Sequence, residues 1–263
     1  LLRNSAIKFQ NNYDTSVIGG KVRQCFQHGL ATNTEDKGMT KAIRIHEHGG
    51  PDVLRWQEVQ VGDPAAGEVR IRHNAIGLNF IDVYHRTGLY PVPGLPSGIG
   101  LEAAGVVEAV GDNVTDLQVG DRVAYASPPV GAYAETRLIP ADRVVTVPDT
   151  IDDRTAAAMM LKGMTAHYLL RRSYRVQNGD AILVHAAAGG VGSILCQWGK
   201  HLGATVIGTV GNDAKAEKAR AHGCDHIIVY SRENFLERVK DITSGEGVAV
   251  VYDSVGKAVF MDS

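Results

Sequence analysis

The run His185-Ala186-Ala187-Ala188-Gly189-Gly190-Val191-Gly192 decides the fold. It follows Ala181-Ile182-Leu183-Val184, a tetrad with the length and composition of a buried strand. It opens an apolar helical period over 191–202. Strand, glycine-rich turn and helix in that order begin a βαβ unit. Glycine in such a turn lets the backbone approach a pyrophosphate, and N–H groups at the helix N-terminus meet its charge. The spelling departs from Gly-x-Gly-x-x-Gly: Ala187 holds the first glycine's place, followed by Gly189, Gly190 and Gly192. The context, more than the spelling, makes the run with Val191 a dinucleotide site.

Downstream, strands at 205–208, 227–229 and 248–252 alternate with helices at 213–221 and 232–242. That rhythm predicts an α/β, doubly wound parallel sheet of the Rossmann kind. Sites selective for NAD place an acid about 20 residues past the turn, on the ribose 2′-hydroxyl. Here the second strand ends Gly208-Thr209-Val210-Gly211, with no carboxylate. Thr209 marks the ribose position, and Lys215 offers charge to a 2′-phosphate. Asp213 lies between them and reads as a helix cap. NADPH is the expected cofactor.

Upstream, short strands at 41–46, 68–73, 103–110, 122–125, 133–139 and 144–147 are separated by Gly, Pro and Asp, which predicts a β-barrel-like domain. A helix is expected over 152–170. The expected division is an extension at 1–38, a barrel domain at 39–163 and a dinucleotide domain at 164–263. The extension lacks any period. It reads as ill-ordered or as a mitochondrial leader, since Arg3, Lys8, Lys21 and Arg23 outnumber Asp14 before Glu35. Residues 259–263 read as the first turns of a helix cut short, so the chain is expected to be a fragment.

Composition narrows the function classes. The 263 residues are 44% hydrophobic with a formal net charge of -2, which gives no electrostatic footprint for nucleic acid. No apolar run approaches the roughly 20 residues of a membrane helix. Cys25, Cys196 and Cys224 are too scattered for a secreted disulfide framework, so a reducing compartment, the cytoplasm, is expected.

Gly179-Asp180, Leu183, Ala187-Ala188-Gly189-Gly190, Gly192, Gln197 and Lys200 together resemble the signature of zeta-crystallin-like quinone oxidoreductases. These belong to the zinc-free branch of the medium-chain dehydrogenase/reductase superfamily. The resemblance runs from Met39 to Ser263. It implies a GroES-like barrel followed by a Rossmann domain, usually dimeric. The segments 77–84 and 88–91 look like the family's active-site stretch. By that resemblance Asn79 lies near the nicotinamide ribose, and Tyr84 beside the nicotinamide. Thr165 faces the cofactor, Lys215 and Tyr230 hold the 2′-phosphate, and Ser254 follows a later strand near the cofactor. Family members continue beyond Ser263, where they complete the sheet and build the dimer.

Zinc-dependent relatives read Gly-His-Glu where this chain reads Gly100-Leu101-Glu102, and leucine has no donor for zinc. His46, His48, His73 and His85 do not cluster by spacing. Without a Lewis acid the protein works by placement, with NADPH as donor and an electron-poor quinone as acceptor. Tyr84 and Tyr90 are expected to line the acceptor site, with Tyr84 as a hydrogen-bond donor and Asn79 orienting the cofactor. The competing readings are an enoyl or alkenal reductase of the same superfamily and a non-catalytic NADPH-binding sensor or structural protein.

Overall fold

The computed structural model describes residues 38–263, so the expected extension lies almost wholly outside the described residues. The chain divides into two compact units, one ending at Leu161 and the other starting at Lys162.

The first unit is built on antiparallel strands. They are β1 (Met39–Ile45), β2 (Arg55–Gln60), β3 (Glu68–Gly77), β4 (Ser97–Gly98), β5 (Glu102–Val110), β6 (Arg122–Ala126), β7 (Thr136–Pro140) and β8 (Val145–Thr146). One sheet runs β7-β3-β5-β6-β8, and a smaller one runs β2-β1-β4. A bridge between Ala42 and Ala134 links the two. Alternation fixes the register: Val69 and Ile71 on β3 point inward with Val107, Val123, Tyr125 and Ile139. Three elements were not expected from the sequence, β2, β4 and the helix α1 (Phe80–Thr87). The strand expected at 133–139 is shorter, beginning at Thr136.

The buried wall of this barrel holds His73. Its Nδ1 lies 2.7 Å from the Ala134 carbonyl, and its Nε2 lies 2.9 Å from the Tyr125 hydroxyl. The carbonyl requires a proton on Nδ1, so the tyrosine donates to Nε2. Burial pushes the His73 pKa down to about 4 and that of Tyr125 up to about 12.

The second unit is a four-stranded parallel sheet of β9 (Ala181–Val184), β10 (Thr205–Val210), β11 (His226–Val229) and β12 (Val250–Tyr252), in the order β11-β10-β9-β12. Helices α3 (Gly190–His201), α4 (Asp213–Ala221) and α5 (Phe235–Ile242) alternate with the strands. This is the expected Rossmann arrangement. The strand order reverses at β9, so the glycine-rich turn sits at the switch point, beyond the carboxyl end of its strand. Ile182, Val184, Val206 and Val210 form the core under α3 with Leu195 and Cys196. Cys196 and Cys224 are buried free thiols with sulfurs 3.2 Å apart.

The unit boundary falls within α2 (Asp153–Tyr168). Ala156 and Ala157 pack on β5 and β6 in the first unit, while Ala166 joins the core of the second. The tail after Gly256 makes isolated turn bonds, Phe260 N–H to Gly256 O at 3.0 Å and Ser263 N–H to Val259 O at 3.0 Å.

Neutral His73 gives the barrel an acid-sensitive joint. Its folded pKa lies below the ordinary histidine value of 6.5, so the unfolded chain binds the proton first as pH falls. Stability from this site is complete above pH 6.5 and is lost between 6.5 and about 4, by at most about 3 kcal/mol. Urea unfolding of wild type and His73→Gln at pH 7 and pH 4.5 checks this. The wild type is expected to lose more stability than the variant over that interval, and equal losses would rule the joint out.

Candidate functional site

Two constellations carry chemistry, one in each unit. In the first, β3 ends at Gly77 and the chain turns into α1 with Asn79 as N-cap. The Asn79 backbone N–H donates to Asp82 Oδ2 at 2.9 Å, the reciprocal arm of a capping box. Its side-chain amide donates to Glu102 Oε2 at 2.7 Å. The other carboxylate oxygen of Glu102 accepts from the Leu161 backbone N–H at 2.8 Å. Glu102 is fully buried, so these charge-assisted bonds are what make its burial tolerable. Tyr133 O–H donates to Asp82 Oδ2 at 2.9 Å. Burial, then the neighbouring Asp82 carboxylate, raise the Tyr133 pKa well above 10.0. Gly77 makes room for the network, since a Cβ there would lie 2.2 Å from Glu102 Oε2.

Helix α1 then presents aromatic rings. Phe80 meets Tyr84 edge-on at 5.3 Å, and Tyr84 meets Tyr90 at 5.1 Å. Phe80 and Tyr90 are exposed. The Tyr90 N–H donates to the Tyr84 carbonyl at 3.1 Å, which folds the segment back on the helix. The structure thus gathers the predicted Asn79, Tyr84 and Tyr90 on one segment. Sequence reasoning missed Glu102, Asp82 and Tyr133 as its supports. The available signal was a lone acid, Glu102, inside the apolar run 99–107.

In the second unit Ala186 adopts a left-handed φ of 51°, and the Gly189 N–H closes the turn onto its carbonyl at 2.8 Å. Gly189 is the N-cap of α3 and has no side chain with which to cap it. The N–H groups of Gly190, Val191 and Gly192 are those a helix cannot satisfy internally, and they face the dipole's positive end. Gly192 packs against the turn: a Cβ would lie 2.4 Å from Ala186 O. Ala187 is buried, its N–H bound to Thr209 O at 3.1 Å.

Gly211 follows the end of β10 and Tyr230 the end of the adjacent β11, with Tyr230 N–H on Val210 O at 3.1 Å. The Tyr230 hydroxyl stands over Gly211, 2.8 Å from where a Cβ would be. Lys215 lies exposed in the first turn of α4. Asn212, rather than Asp213, caps that helix: its Oδ1 accepts from the Lys215 backbone N–H at 3.0 Å. Asp213 is instead the first helical residue. Ser254 lies exposed just past β12, in a turn where Asp253 Oδ1 accepts from Val255 N–H at 2.7 Å and Gly256 N–H at 2.9 Å. Gly190, Gly211, Tyr230 and Ser254 therefore stand beyond the carboxyl ends of the four strands. Thr209 does not stand with them. It is buried within β10, its hydroxyl 2.9 Å from His185 Nδ1, because its side chain faces the layer where His185 meets Phe235 edge-on at 5.0 Å. Thr165 is half-buried in α2.

Among the described residues no three His, Cys, Asp or Glu side chains converge as a metal site. Leu101 is buried, and His46 is engaged with Gln57 at 2.8 Å. No helix among them is long and apolar enough to cross a membrane.

A GroES-like antiparallel barrel followed by a Rossmann sheet with a glycine-opened helix defines a medium-chain dehydrogenase/reductase. Residues 65–149 match the alcohol dehydrogenase GroES-like domain, and residues 190–263 match the family described as zinc-binding dehydrogenase. Quinone oxidoreductase of Pseudomonas aeruginosa is 55% identical over 219 residues, covering 83% of this chain and 67% of the relative. A 2-haloacrylate reductase of a Burkholderia species is 52% identical, covering 86% and 69%. The crystal structure of Escherichia coli quinone oxidoreductase complexed with NADPH superposes with a TM-score of 0.83 at 49% identity, covering 85% of this chain and 68% of that one. The chain belongs to the quinone oxidoreductase family, and it spans about two thirds of the length of these relatives.

Substituting Glu102→Gln places an amide donor where only acceptors fit, facing either Asn79 or Leu161. A loss of about 2 kcal/mol in unfolding free energy is expected. Denaturant titration measures it, and a change below about 0.5 kcal/mol would show that the carboxylate does not organise the Asn79 turn.

Proposed function

We propose that this protein is an NADPH-dependent quinone reductase that works without a metal. The observation that carries the reading is the pairing of an uncapped, glycine-opened helix at the sheet's switch point with an acid-free end of β10. The first suits a pyrophosphate, and the second admits a 2′-phosphate. The relatives named for quinone reduction, one of them complexed with NADPH, support it.

The N–H groups of Gly190, Val191 and Gly192 hold the pyrophosphate. Lys215 and Tyr230 meet the 2′-phosphate by charge and hydrogen bond, and Ser254 and Thr165 line the remainder of the nucleotide site. Bound NADPH supplies reducing equivalents as hydride. Asn79, fixed by Glu102, orients the nicotinamide ribose, since a buried and doubly anchored amide loses no orientation when ligand arrives. Tyr84 and Tyr90 offer aromatic surface to a planar acceptor, and the Tyr84 hydroxyl donates to its carbonyl oxygen. The homodimer and a cytoplasmic location belong to the same proposal.

A second reading, reduction of an electron-poor carbon–carbon double bond, is favoured by the 52% identity to 2-haloacrylate reductase. Oxidation of NADPH by the full-length protein with 1,4-benzoquinone, 9,10-phenanthrenequinone, 2-hexenal and 2-chloroacrylate separates the two. Turnover on the quinones is expected, and turnover confined to the alkenes would replace the first reading by the second. NADPH binding without turnover on any acceptor would instead indicate a sensor.

Lys215→Ala is expected to weaken NADPH about tenfold more than NADH, the scale of one charge-assisted contact. Titration calorimetry with both nucleotides checks it, and equal losses would remove Lys215 from the 2′-phosphate site.

A further inference from the structure

A carboxylate stands where recognition of a 2′-phosphate is served by none. Asp213 opens α4 two residues before Lys215, and its side chain is 74% exposed. Alone, it cancels the charge of Lys215 and offers an acceptor to a ribose 2′-hydroxyl, as the acid of an NAD-selective site does. It is not alone. Arg232 closes on it in a two-pronged fork, Nη2 to Oδ1 at 2.7 Å and Nη1 to Oδ2 at 3.0 Å.

The fork joins two loops. Asp213 follows β10 and shares the first turn of α4 with Lys215. Arg232 follows β11, two residues past Tyr230, and its backbone N–H is tied to Val229 O at 3.0 Å. The neighbouring acid, Glu233, directs its hydrogen bonds elsewhere. Glu233 accepts from Val229 N–H at 2.9 Å and pairs with Arg238 at 3.2 Å. A solvent-exposed ion pair adds little to stability, so its position, rather than its strength, is the informative property. Arg232 also holds the Asp213 carboxyl below its usual range, so the acid stays ionised and paired.

We infer that Arg232 is a specificity-determining residue for the cofactor: by tying up both oxygens of Asp213 it leaves Lys215 to set the local charge, and so selects a 2′-phosphorylated dinucleotide over a 2′-hydroxyl one. The inference rests on the proposed 2′-phosphate site at Lys215 and Tyr230. Arg232 acts through Asp213, as a positioning residue, and Asp213 is the repulsive element it silences.

Calorimetric titration of the full-length protein with NADPH and NADH tests it in four variants. Arg232→Ala is expected to raise the NADPH dissociation constant about tenfold while NADH changes less than about twofold. Asp213→Ala is expected to keep or sharpen the preference for NADPH. The double variant Arg232→Ala/Asp213→Ala is expected to regain NADPH affinity to within about threefold of wild type, because removing the acid removes the need for its partner. Equal weakening of both nucleotides in Arg232→Ala, or no weakening, would overturn the inference. Failure of the double variant to recover would also overturn it, since Arg232 would then act directly and not through Asp213. Lys215→Ala separates the two levels. An unchanged NADPH-to-NADH ratio there sinks the 2′-phosphate site itself, whereas a lost ratio there beside a retained one in Arg232→Ala sinks only the role of Arg232.

Discussion

A fully buried carboxylate, Glu102, sets the constraint around which the first unit is arranged. A charge taken out of water is tolerated only when both oxygens are saturated with donors. Its donors include the side chain of Asn79 and the backbone of Leu161. The same charge thus fixes the asparagine that starts α1 and the middle of α2. Gly77 is required because any side chain would occupy the carboxylate's space. Tyr133 and Asp82 extend the network and hold the cap from its other side. The orientation of the Asn79 segment follows from electrostatic necessity more than from helix propensity, which eight residues supply only weakly.

The second unit solves a different problem. Its strands are short and buried, and their carboxyl ends share one edge of the sheet, where backbone turns and helix N-termini collect. The helix starts there are not all finished alike. Asn212 caps α4, and Asn234 caps α5 by accepting from Leu236 N–H at 3.0 Å. Helix α3 begins on a glycine. Side chains thereby cap two of the three helices and leave the third, α3, without one.

How much of this was legible in the sequence depends on how far each signal reaches. The β9 turn was readable because strand, glycines and helix are adjacent in the chain and each obeys a local rule. The alternation that follows was readable for the same reason. Strand β2 was not: Arg55-Trp56-Gln57-Glu58-Val59-Gln60 is mostly polar and has one exposed face, so its pairing with β1 is a tertiary fact. Helix α1 was hidden because its cap is an Asn–Asp pair and its run is short. The expected start of the last helix near 232 slipped to Phe235, because Asn234 takes the cap and the two residues before it serve ion pairs instead. Within the site, Asn79, Tyr84 and Tyr90 fall on one local segment. Thr209 illustrates the opposite case. Position along β10 suggested the ribose, but alternation turns its side chain toward His185. The support from Glu102 spans 23 residues to Asn79 and 59 to Leu161, distances over which no spacing rule operates.

The difference in helix starts has a dynamic consequence. Helices α4 and α5 carry their own side-chain caps, Asn212 and Asn234. The first turn of α3 lacks that insurance, since Gly189 offers no side chain to its backbone amides. Local opening of this turn is the motion that the proposed nucleotide site would couple to occupancy. At the proposed nucleotide site, the amides of Gly190 to Gly192 would thus read occupancy as rigidity.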